Sequence, residues 1–327
     1  MKSTPEPCKI KREETVLHAH KYLVCGASGY LGHNLCEYLL REGHIVTGVD
    51  INAWTGEEHD NFLFLQEDLS DPAAYKRLRG AIADDTIIFF LTGLSGTAGG
   101  FEHYARYVAV NELSLLHLLD TLRNAGIKSR IIFPSSRLLY CGCRGKELSE
   151  DAQKESKSIY AVNKIACEAY LEAYNNAFGI DYRVMRLGVP YGNLTGQTYS
   201  YGTIGFFLNQ AKRGEITLYG DGSLRRTFTH VEDVCRQLFA LAETHETAHF
   251  VYNACGENYS LRDVAQMIAD RFHARVTYHP FPPLERKLES GDTVFDGSRM
   301  LRILQYPVKR NLADWLMEIQ EECFSNE

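Results

Sequence analysis

Short apolar runs separated by amphipathic stretches fill the first half of the chain. Residues 21–25, 44–50, 62–65, 86–91 and 130–133 are rich in Val, Ile, Leu and Phe. Runs of this length that alternate with helical stretches are typical of parallel strands in a sheet that helices cover on both faces. The sequence therefore predicts an α/β fold with a Rossmann-like, doubly wound parallel sheet.

Two long helices are predicted in the same half, over residues 104–124 and 160–178. In the first of them Leu115, Leu118 and Leu122 recur at helical spacing, which predicts that one face is buried against the sheet. Apolar residues also occur on a second face of each helix. This second face leaves room for a contact between two copies of the chain.

The second half of the chain has a looser pattern. After Arg186 it becomes rich in Gly, Tyr, Thr and Ser, which predicts a smaller C-terminal α/β lobe with many loops, the usual place for substrate specificity. The predicted organisation is a flexible N-terminal arm over 1–19, a dinucleotide-binding Rossmann domain over 20–187 to which 228–250 returns, and a substrate-binding lobe over 188–227 and 251–327.

Composition argues against several classes of protein. A chain of 327 residues with 45% hydrophobic and 24% charged residues is ordinary for a soluble globular protein. Its net charge of -7 and lack of a long basic run argue against nucleic-acid and membrane partners. Residues 1–14 lack the apolar core of a secretory signal. The nine scattered cysteines suit reduced thiols, so we expect a cytoplasmic protein without a bound metal.

A glycine-rich turn joins the first predicted strand to the first helix, with Gly26, Gly29 and Gly32 three residues apart. Such glycines allow a sharp turn and let the backbone approach a pyrophosphate at the helix N-terminus. Asp50 ends the second strand, where a carboxylate accepts hydrogen bonds from an adenosine ribose and repels a 2′-phosphate. No Arg or Lys follows it in residues 51–54, so the sequence favours NAD over NADP.

Tyr160 and Lys164 are the candidate catalytic pair, because their i,i+4 spacing places both on one helix face. Ser136 ends a predicted strand and is the candidate for holding the reacting oxygen in line with the tyrosine. A free tyrosine has a pKa of about 10, and a nearby ammonium favours its phenolate. With the glycine turn, these residues predict a site that moves a hydride with a nicotinamide cofactor while Tyr160 handles the proton.

These motifs and several others make the chain resemble the extended short-chain dehydrogenase/reductase family, in its NAD-dependent epimerase/dehydratase branch. The resemblance covers about residues 21–318. The pieces that carry it are residues 25–32, Asp50, Asp68, Leu69, Asn111, residues 134–136, Tyr140, Tyr160, Lys164, Arg186, Tyr191, Gly192, residues 220–222, residues 226–234, Tyr252, Asn253, Ser260, Asp263 and residues 296–298. In this order they are specific for the family and much less so for the reaction.

The resemblance implies the roles of individual residues and the partners. The catalytic residues are Ser136, Tyr160 and Lys164. The NAD-binding residues are Gly26, Ser28, Gly29, Tyr30, Leu31, Gly32, Asp50, Ile51, Asn52, Asp68, Leu69, Leu91, Thr92, Gly93, Asn111, Tyr160, Lys164 and Val189. The substrate-binding residues are Leu94, Ser95, Ser136, Arg137, Asn193, Arg226 and Arg286, with Arg226 on the diphosphate of a nucleotide sugar. A homodimer through helices 104–124 and 160–178 is also implied.

One departure from the family's pattern bears on the reaction. Family dehydratases place an Asp-Glu pair directly after the catalytic hydroxyl, as the acid and base for losing water. This chain has Arg137 and Leu138 at those positions. We therefore do not expect dehydration, nor decarboxylation of the kind that the same branch carries out.

Two further departures bear on the substrate. Val189 stands where the family commonly has an Asn before Val-Tyr-Gly, and Glu289 stands where an Arg is usual. Arg286 or Lys287 is the candidate replacement for that arginine, although neither has the same reach. The contact with the nucleotide is therefore expected to be atypical.

Three functions are compatible with these residues. The first is an NAD-dependent nucleotide-sugar epimerase, which oxidises a ring carbon, C4 in the prediction, and returns the hydride to the opposite face of the keto sugar. The second is an NAD(P)-dependent sugar 4-ketoreductase or dehydrogenase, which uses the same three catalytic residues. The third is a non-catalytic dinucleotide-binding protein, a class that typically lacks the tyrosine or the lysine. We predict the first.

Overall fold

Strands and helices alternate along the chain in the computed structural model, which describes residues 21–195, 202–304 and 308–319. The predicted N-terminal arm lies outside the described residues. The strands are β1 (Tyr22–Cys25), β2 (Val46–Asp50), β3 (Phe62–Gln66), β4 (Ile87–Phe90), β5 (Arg130–Ser136), β6 (Tyr182–Leu187), β7 (Val189–Tyr191), β8 (Glu215–Tyr219), β9 (Arg225–His230), β10 (Val251–Asn253), β11 (Glu257–Ser260) and β12 (Arg275–His279).

The helices cover the sheet and build the smaller lobe. They are α1 (Tyr30–Arg41), α2 (Pro72–Leu78), α3 (Gly99–Glu102), α4 (Tyr104–Val108), α5 (Ser114–Ala125), α6 (Ile159–Phe178), α7 (Gly202–Ala211), α8 (Val231–Glu243), α9 (Leu261–Phe272), α10 (Pro283–Leu288), α11 (Ser298–Ile303) and α12 (Leu312–Glu318). Arg79–Ala81 and Arg137–Leu139 form 3-10 turns, and Ala109–Leu113 is π-helical.

Seven parallel strands form the central sheet, in the order β10-β6-β5-β4-β1-β2-β3. The predicted fold class, a doubly wound parallel sheet with a smaller lobe, is confirmed. The chain runs outward from β1 in one direction through β2 and β3, and in the other through β4, β5 and β6. In such a sheet, ligands bind in the crevice at the carboxyl ends of the strands where the direction reverses. Here that crevice lies beyond Cys25 and Phe90, which are paired in register.

Each face of the sheet has its own apolar core. On one face α1 and α8 bury side chains such as Leu35 and Leu238 against β1 and β5. On the other face α2, α5 and α6 bury side chains such as Leu78, Leu118 and Leu171. Strands covered on both sides are continuous hydrophobic runs, and this explains the sequence pattern of the first half.

The smaller lobe contains a three-stranded sheet, β11-β9-β7, and a parallel pair, β12-β8. Its core includes Phe207 of α7, Phe228 of β9, Ile268 of α9 and Trp315 of α12. One predicted boundary differs from the structure. The sequence placed residues 251–327 in the substrate lobe, but β10 pairs with β6 and extends the central sheet. The strand is only three residues long, too short for its sequence to indicate which sheet it joins.

The predicted helix over 104–124 is interrupted. Five π-helical residues separate α4 from α5, and Asn111 lies in the middle of them. Such π-helical turns are rare and frequently lie at functional sites. Leu115, Leu118 and Leu122 are fully buried on α5, as their spacing predicts.

A membrane-spanning helix and a metal-binding group of side chains are both absent from the described residues. Across 21–195, 202–304 and 308–319, no helix is both long and apolar enough to cross a membrane. In the same part of the chain, no group of three or more His, Cys, Asp or Glu side chains is placed to hold a metal ion.

Candidate active site

A cavity of about 380 Å³ occupies the crevice at the carboxyl ends of β1, β4 and β5. The glycine turn forms one wall, and the start of α6 and the first residues of α7 form others. The predicted site residues that line it are Gly26, Gly29, Tyr30, Leu31, Gly32, Leu91, Gly93, Leu94, Ser95, Ser136, Arg137, Tyr160, Lys164 and Val189. The structure thus brings residues from the whole first half of the chain to one place.

The glycine turn has no space for a side chain at Gly26 or Gly32. Gly26 has a φ of 84°, and an added Cβ would lie 2.8 Å from the amide nitrogen of Thr92. At Gly32 an added Cβ would collide with the backbone carbonyl of Gly26. Helix α1 begins directly after this turn, so its free amide groups and the positive end of its dipole face the cavity. This is the arrangement that a pyrophosphate requires.

Asp50 lies at the end of β2 and organises the neighbouring loop. Its carboxylate accepts hydrogen bonds from the Ser28 amide at 3.1 Å and from the Asn52 amide at 2.9 Å. Ser28 Oγ in turn donates to the Asn52 carbonyl at 3.1 Å. These contacts fix the carboxylate at the edge of the glycine turn, where an adenosine ribose would meet it.

The residues present fit a nicotinamide dinucleotide. The turn offers a cradle that a Cβ would fill, Asp50 offers an acceptor for ribose hydroxyls, and Lys164 lies on the opposite wall. Thr92 Oγ1 is buried and has no hydrogen-bond partner among the described residues. A buried hydroxyl without a partner is unfavourable, so this atom is available for a ligand.

Ser136, Tyr160 and Lys164 line the cavity together. Ser158 caps α6 by accepting a hydrogen bond from the Ala161 amide at 3.2 Å, so the helix begins just before Tyr160. Lys164 Nζ lies 5.8 Å from the centre of the Tyr160 ring. The i,i+4 spacing therefore places ammonium and phenol side by side on the helix face that meets the cavity.

Lys164 is held by two contacts and is almost completely buried. Its Nζ donates to the Pro134 carbonyl at 2.7 Å and lies 4.3 Å from the centre of the Phe133 ring. Burial lowers the pKa of Lys164 from 10.5 to about 8, while Cys167 and Glu168 raise it. The side chain is therefore still an ammonium at neutral pH, placed where its charge favours a tyrosine phenolate.

Asn111 supports the cavity from behind and does not line it. Its Oδ1 accepts from the Leu94 amide at 2.6 Å, and its Nδ2 donates to the Leu94 carbonyl at 3.1 Å. Nδ2 also donates to Asn163 on α6 at 3.2 Å. The amide thus ties the wall after β4 to the helix that carries Tyr160.

Eleven predicted site residues do not line this cavity: Ser28, Asp50, Ile51, Asn52, Asp68, Leu69, Thr92, Asn111, Asn193, Arg226 and Arg286. Asn193 lines a separate cavity beside α1 and α12, and Arg286 is exposed on α10. Asp68 accepts hydrogen bonds from Ser70 within its own turn, and Leu69 is buried in the core beneath the sheet. Ile51, also assigned to the cofactor, is exposed at the edge of the sheet and does not line the cavity either.

Arg226 is buried behind the cavity wall. Its guanidinium forms an ion pair with Glu289 at 2.8 Å and reaches Thr203 Oγ1 at 3.5 Å. Thr203 itself lines the cavity. The two residues that the sequence singled out separately, Arg226 and Glu289, are therefore partners.

Nine lining residues were missed in the sequence. They are Gly96, Pro134, Ser135, Leu138, Leu187, Gly188, Pro190, Gly202 and Thr203. Those between 134 and 190 flank residues that were predicted, and their own signal is only that they lie at strand ends. Gly202 and Thr203 begin α7, and no motif marks them.

Sequence comparison gives relatives of similar length. The NAD dependent epimerase/dehydratase family matches the chain over residues 22–255. An uncharacterized UDP-glucose epimerase of Bacillus subtilis, YtcB, is 27% identical over 311 residues, which are 90% of this chain and 95% of the relative. The UDP-glucuronate 4-epimerase of Thermodesulfobacterium geofontis is 28% identical over 232 residues, 67% of this chain and 70% of the relative.

Solved structures give the same picture. UDP-glucuronic acid 4-epimerase from Bacillus cereus, in complex with UDP-glucuronic acid and NAD, is 26% identical and superposes with a TM-score of 0.77 over 90% of this chain and 96% of the other. The UDP-N-acetylglucosamine 4-epimerase from Methanobrevibacter ruminantium is 25% identical, with a TM-score of 0.78 over 92% of this chain and 97% of the other.

Proposed function

Because this chain belongs to the NAD dependent epimerase/dehydratase family, we propose that it is an NAD-dependent nucleotide-sugar epimerase that inverts C4 of its substrate. The observation that carries the proposal is that Ser136, Tyr160 and Lys164 line one cavity with the glycine turn. A non-catalytic dinucleotide-binding protein would have no need for that arrangement. The choice of C4 rests on three of the relatives described above, which are 4-epimerases by name.

Ser136, Tyr160 and Lys164 have separate roles in the proposed reaction. When bound, NAD supplies the acceptor that takes a hydride from the sugar carbon and gives it back. Ser136 and Tyr160 hold the ring hydroxyl between them, and Tyr160 takes its proton and later returns it. Lys164 stabilises the phenolate by its charge and binds the ribose next to the nicotinamide. Arg137 and Leu138 replace the acid and base of a dehydratase, so the ring hydroxyls are kept.

The test is turnover without added cofactor. Purified protein is incubated with UDP-glucose, UDP-glucuronate and UDP-N-acetylglucosamine, and each mixture is followed by proton NMR. We expect at least one of them to give its C4 epimer, while the NAD released on denaturation stays unchanged in amount. Reaction that requires added NAD(P)+, with one cofactor reduced per product, would instead establish the dehydrogenase reading, and consumption of NAD(P)H with a 4-keto sugar would establish the ketoreductase reading.

We also propose that two copies of the chain pair through an apolar surface on α4, the π-helical turn that follows it, and α6. Tyr104 is 63% exposed, Val108 36%, Leu113 42% and Val162 42%. Exposed apolar side chains grouped on neighbouring helices are typical of an interface. Ala169, also exposed on α6, would let two helices approach closely.

Charges placed in this apolar surface are expected to separate the two copies. The double variant Tyr104→Asp with Val108→Asp should sediment as a monomer at micromolar concentration, where the wild type sediments as a dimer. Met317→Asp is the control, because Met317 is 73% exposed on α12, away from this surface. A monomeric wild type, or a double variant that stays dimeric, would rule out this interface.

The thiols support an intracellular setting for this activity. Seven cysteines lie in the described residues, and all of them are free thiols. Unpaired thiols are the rule in the reducing cytoplasm. We therefore propose that the protein works there.

A further inference from the structure

The guanidinium of Arg137 reaches away from the catalytic serine and toward the smaller lobe. Its Nη1 donates to Thr293 Oγ1 at 3.3 Å. The Thr293 amide donates to the Arg225 carbonyl at 2.9 Å, and the Thr293 carbonyl accepts from the Thr227 amide at 3.3 Å. These two contacts hold Thr293 against β9, opposite Arg226. Arg137 therefore extends from the cavity to the strand that carries Arg226.

Arg226 is 7% exposed and only partly satisfied. Nη2 pairs with Glu289 at 2.8 Å, and Nη1 has one long contact, to Thr203 at 3.5 Å. Nε is buried and has no hydrogen-bond partner in the described part of the chain. A buried N–H without a partner is costly, so the site is built for a group that these residues do not supply.

Two guanidiniums, those of Arg137 and Arg226, lie at this end of the cavity and act on each other. The pKa of Arg137 is lowered from 12.5 to about 9, mostly by burial and also by the charge of Arg226, against the opposing effects of Glu289 and Tyr160. Arg137 forms no ion pair with a carboxylate in the described residues. Glu289 and Asp292 are the carboxylates whose charge acts on Arg226, and of these two Glu289 pairs directly with it. A diphosphate offers two charged groups, one for each guanidinium fork.

We propose that Arg137 and Arg226 together bind the diphosphate of the nucleotide sugar. The carboxylate of Glu289 competes with the diphosphate for Arg226 and must release it when the diphosphate binds. The assignment rests on the proposed function, because it takes the substrate to be a nucleotide sugar. Arg286, the replacement expected from the sequence, is exposed and does not line the cavity.

Glu289 is free to move in this way. Its side chain is 20% exposed, and among the described residues its one hydrogen bond besides that with Arg226 comes from the Gly291 amide, which donates to Oε1 at 3.2 Å. Lys157 Nζ donates to the main-chain carbonyl of Glu289 at 2.8 Å, so the backbone stays fixed while the carboxylate turns. Removing the charge of Glu289 should therefore strengthen anion binding, whereas removing that of Arg137 should weaken it.

The experiment measures the binding of nucleoside diphosphates without any sugar. UDP, dTDP and CDP are titrated calorimetrically into the full chain with its NAD, and the tightest of them serves as the probe. Arg137→Gln is expected to weaken the binding of the probe about ten- to a hundredfold, and Arg137→Lys is expected to weaken it less. Glu289→Gln is expected to tighten it about three- to tenfold. Arg225→Gln is the matched control, since that exposed neighbour on β9 bonds to Asn258 and should have no effect.

Several results would overturn the proposal. If Glu289→Gln weakens the binding of the probe, the carboxylate positions Arg226 and does not compete with the diphosphate. If Arg137→Gln leaves the affinity for the nucleoside diphosphate unchanged but alters the preference between UDP-glucuronate and UDP-glucose, Arg137 contacts the sugar and not the diphosphate. If no nucleoside diphosphate binds the wild type, there is no diphosphate site. Arg137→Lys, which keeps the charge, separates loss of binding from loss of fold. The nucleoside diphosphate is not turned over, so its binding can be measured even if the protein epimerises none of the sugars tested. A failure of the proposed function and a failure of this proposal are therefore distinguishable.

Discussion

Replacing Tyr160 with Phe is expected to lower kcat by about 10²–10⁴-fold, because general acid–base catalysis contributes about this much. The substitution removes one oxygen, the one that exchanges a proton with the ring hydroxyl. The aromatic ring stays where it is, 5.8 Å from Lys164 Nζ, and the glycine turn is untouched. NAD should therefore remain bound in the same amount as in the wild type.

The measurement is the rate of C4 epimerisation by proton NMR, with bound NAD determined after denaturation. Tyr170→Phe is the matched control, since Tyr170 lies on the same helix and donates to Glu112 at 2.9 Å outside the cavity. We expect that variant to turn over at the wild-type rate. An active Tyr160→Phe variant would mean that another group moves the proton, and loss of NAD would mean that the phenol acts in cofactor binding.

Replacing Gly26 with Ala is expected to weaken NAD binding about ten- to a hundredfold. An alanine there adopts a φ of 84°, and its Cβ comes within 2.8 Å of the Thr92 amide and 2.9 Å of the Leu91 carbonyl carbon. Overpacking of this kind costs about 1–3 kcal/mol. The backbone has to shift to relieve it, and the shift falls on the turn that faces the pyrophosphate. Each 1.4 kcal/mol is worth about tenfold in affinity.

Gly43→Ala isolates the effect of the close contact. Gly43 has nearly the same backbone conformation, with a φ of 82°, but an added Cβ would meet nothing within 4 Å. The unfavourable backbone conformation should lower the free energy of unfolding by about 1–2 kcal/mol in both variants, and Gly26→Ala should lose the cost of the close contact in addition. Only Gly26→Ala should also lose NAD, measured as the cofactor that copurifies and by calorimetry. Equal loss of NAD in both variants would show that backbone strain alone is responsible.

The elements that the sequence predicted well have local causes. The strands of the central sheet are continuous apolar runs because both of their faces are buried. The turn from Gly26 to Gly32 is recognisable because the backbone leaves no space for a Cβ at Gly26 or Gly32. Tyr160 and Lys164 could be paired from their spacing alone, since a helix of any sequence places such residues on one face.

What the sequence could not provide depends on contacts between distant segments. The π-helical turn around Asn111 interrupts a stretch whose apolar spacing predicts one continuous helix. Asn111 meets Leu94, seventeen residues earlier, and Asn163 on another helix. Nothing in the spacing of leucines encodes such contacts.

The substrate end of the site is the clearest example. The sequence marks Glu289 as a departure from the family's pattern and offers Arg286 or Lys287 as the replacement. The structure pairs Glu289 with Arg226, 63 residues away, and brings Arg137 to the same place by way of Thr293. Distance along the chain is a poor guide here because three separate segments meet.

The most direct test of the whole account follows one deuterium atom. The substrate carries deuterium on C4, the reaction runs in ordinary water, and the product is examined by proton NMR and mass spectrometry. If Tyr160 takes only the hydroxyl proton while NAD keeps the hydrogen of the carbon, the epimer must retain its deuterium at C4. Exchange of that deuterium with water, or its release into solution on free cofactor, would contradict the account.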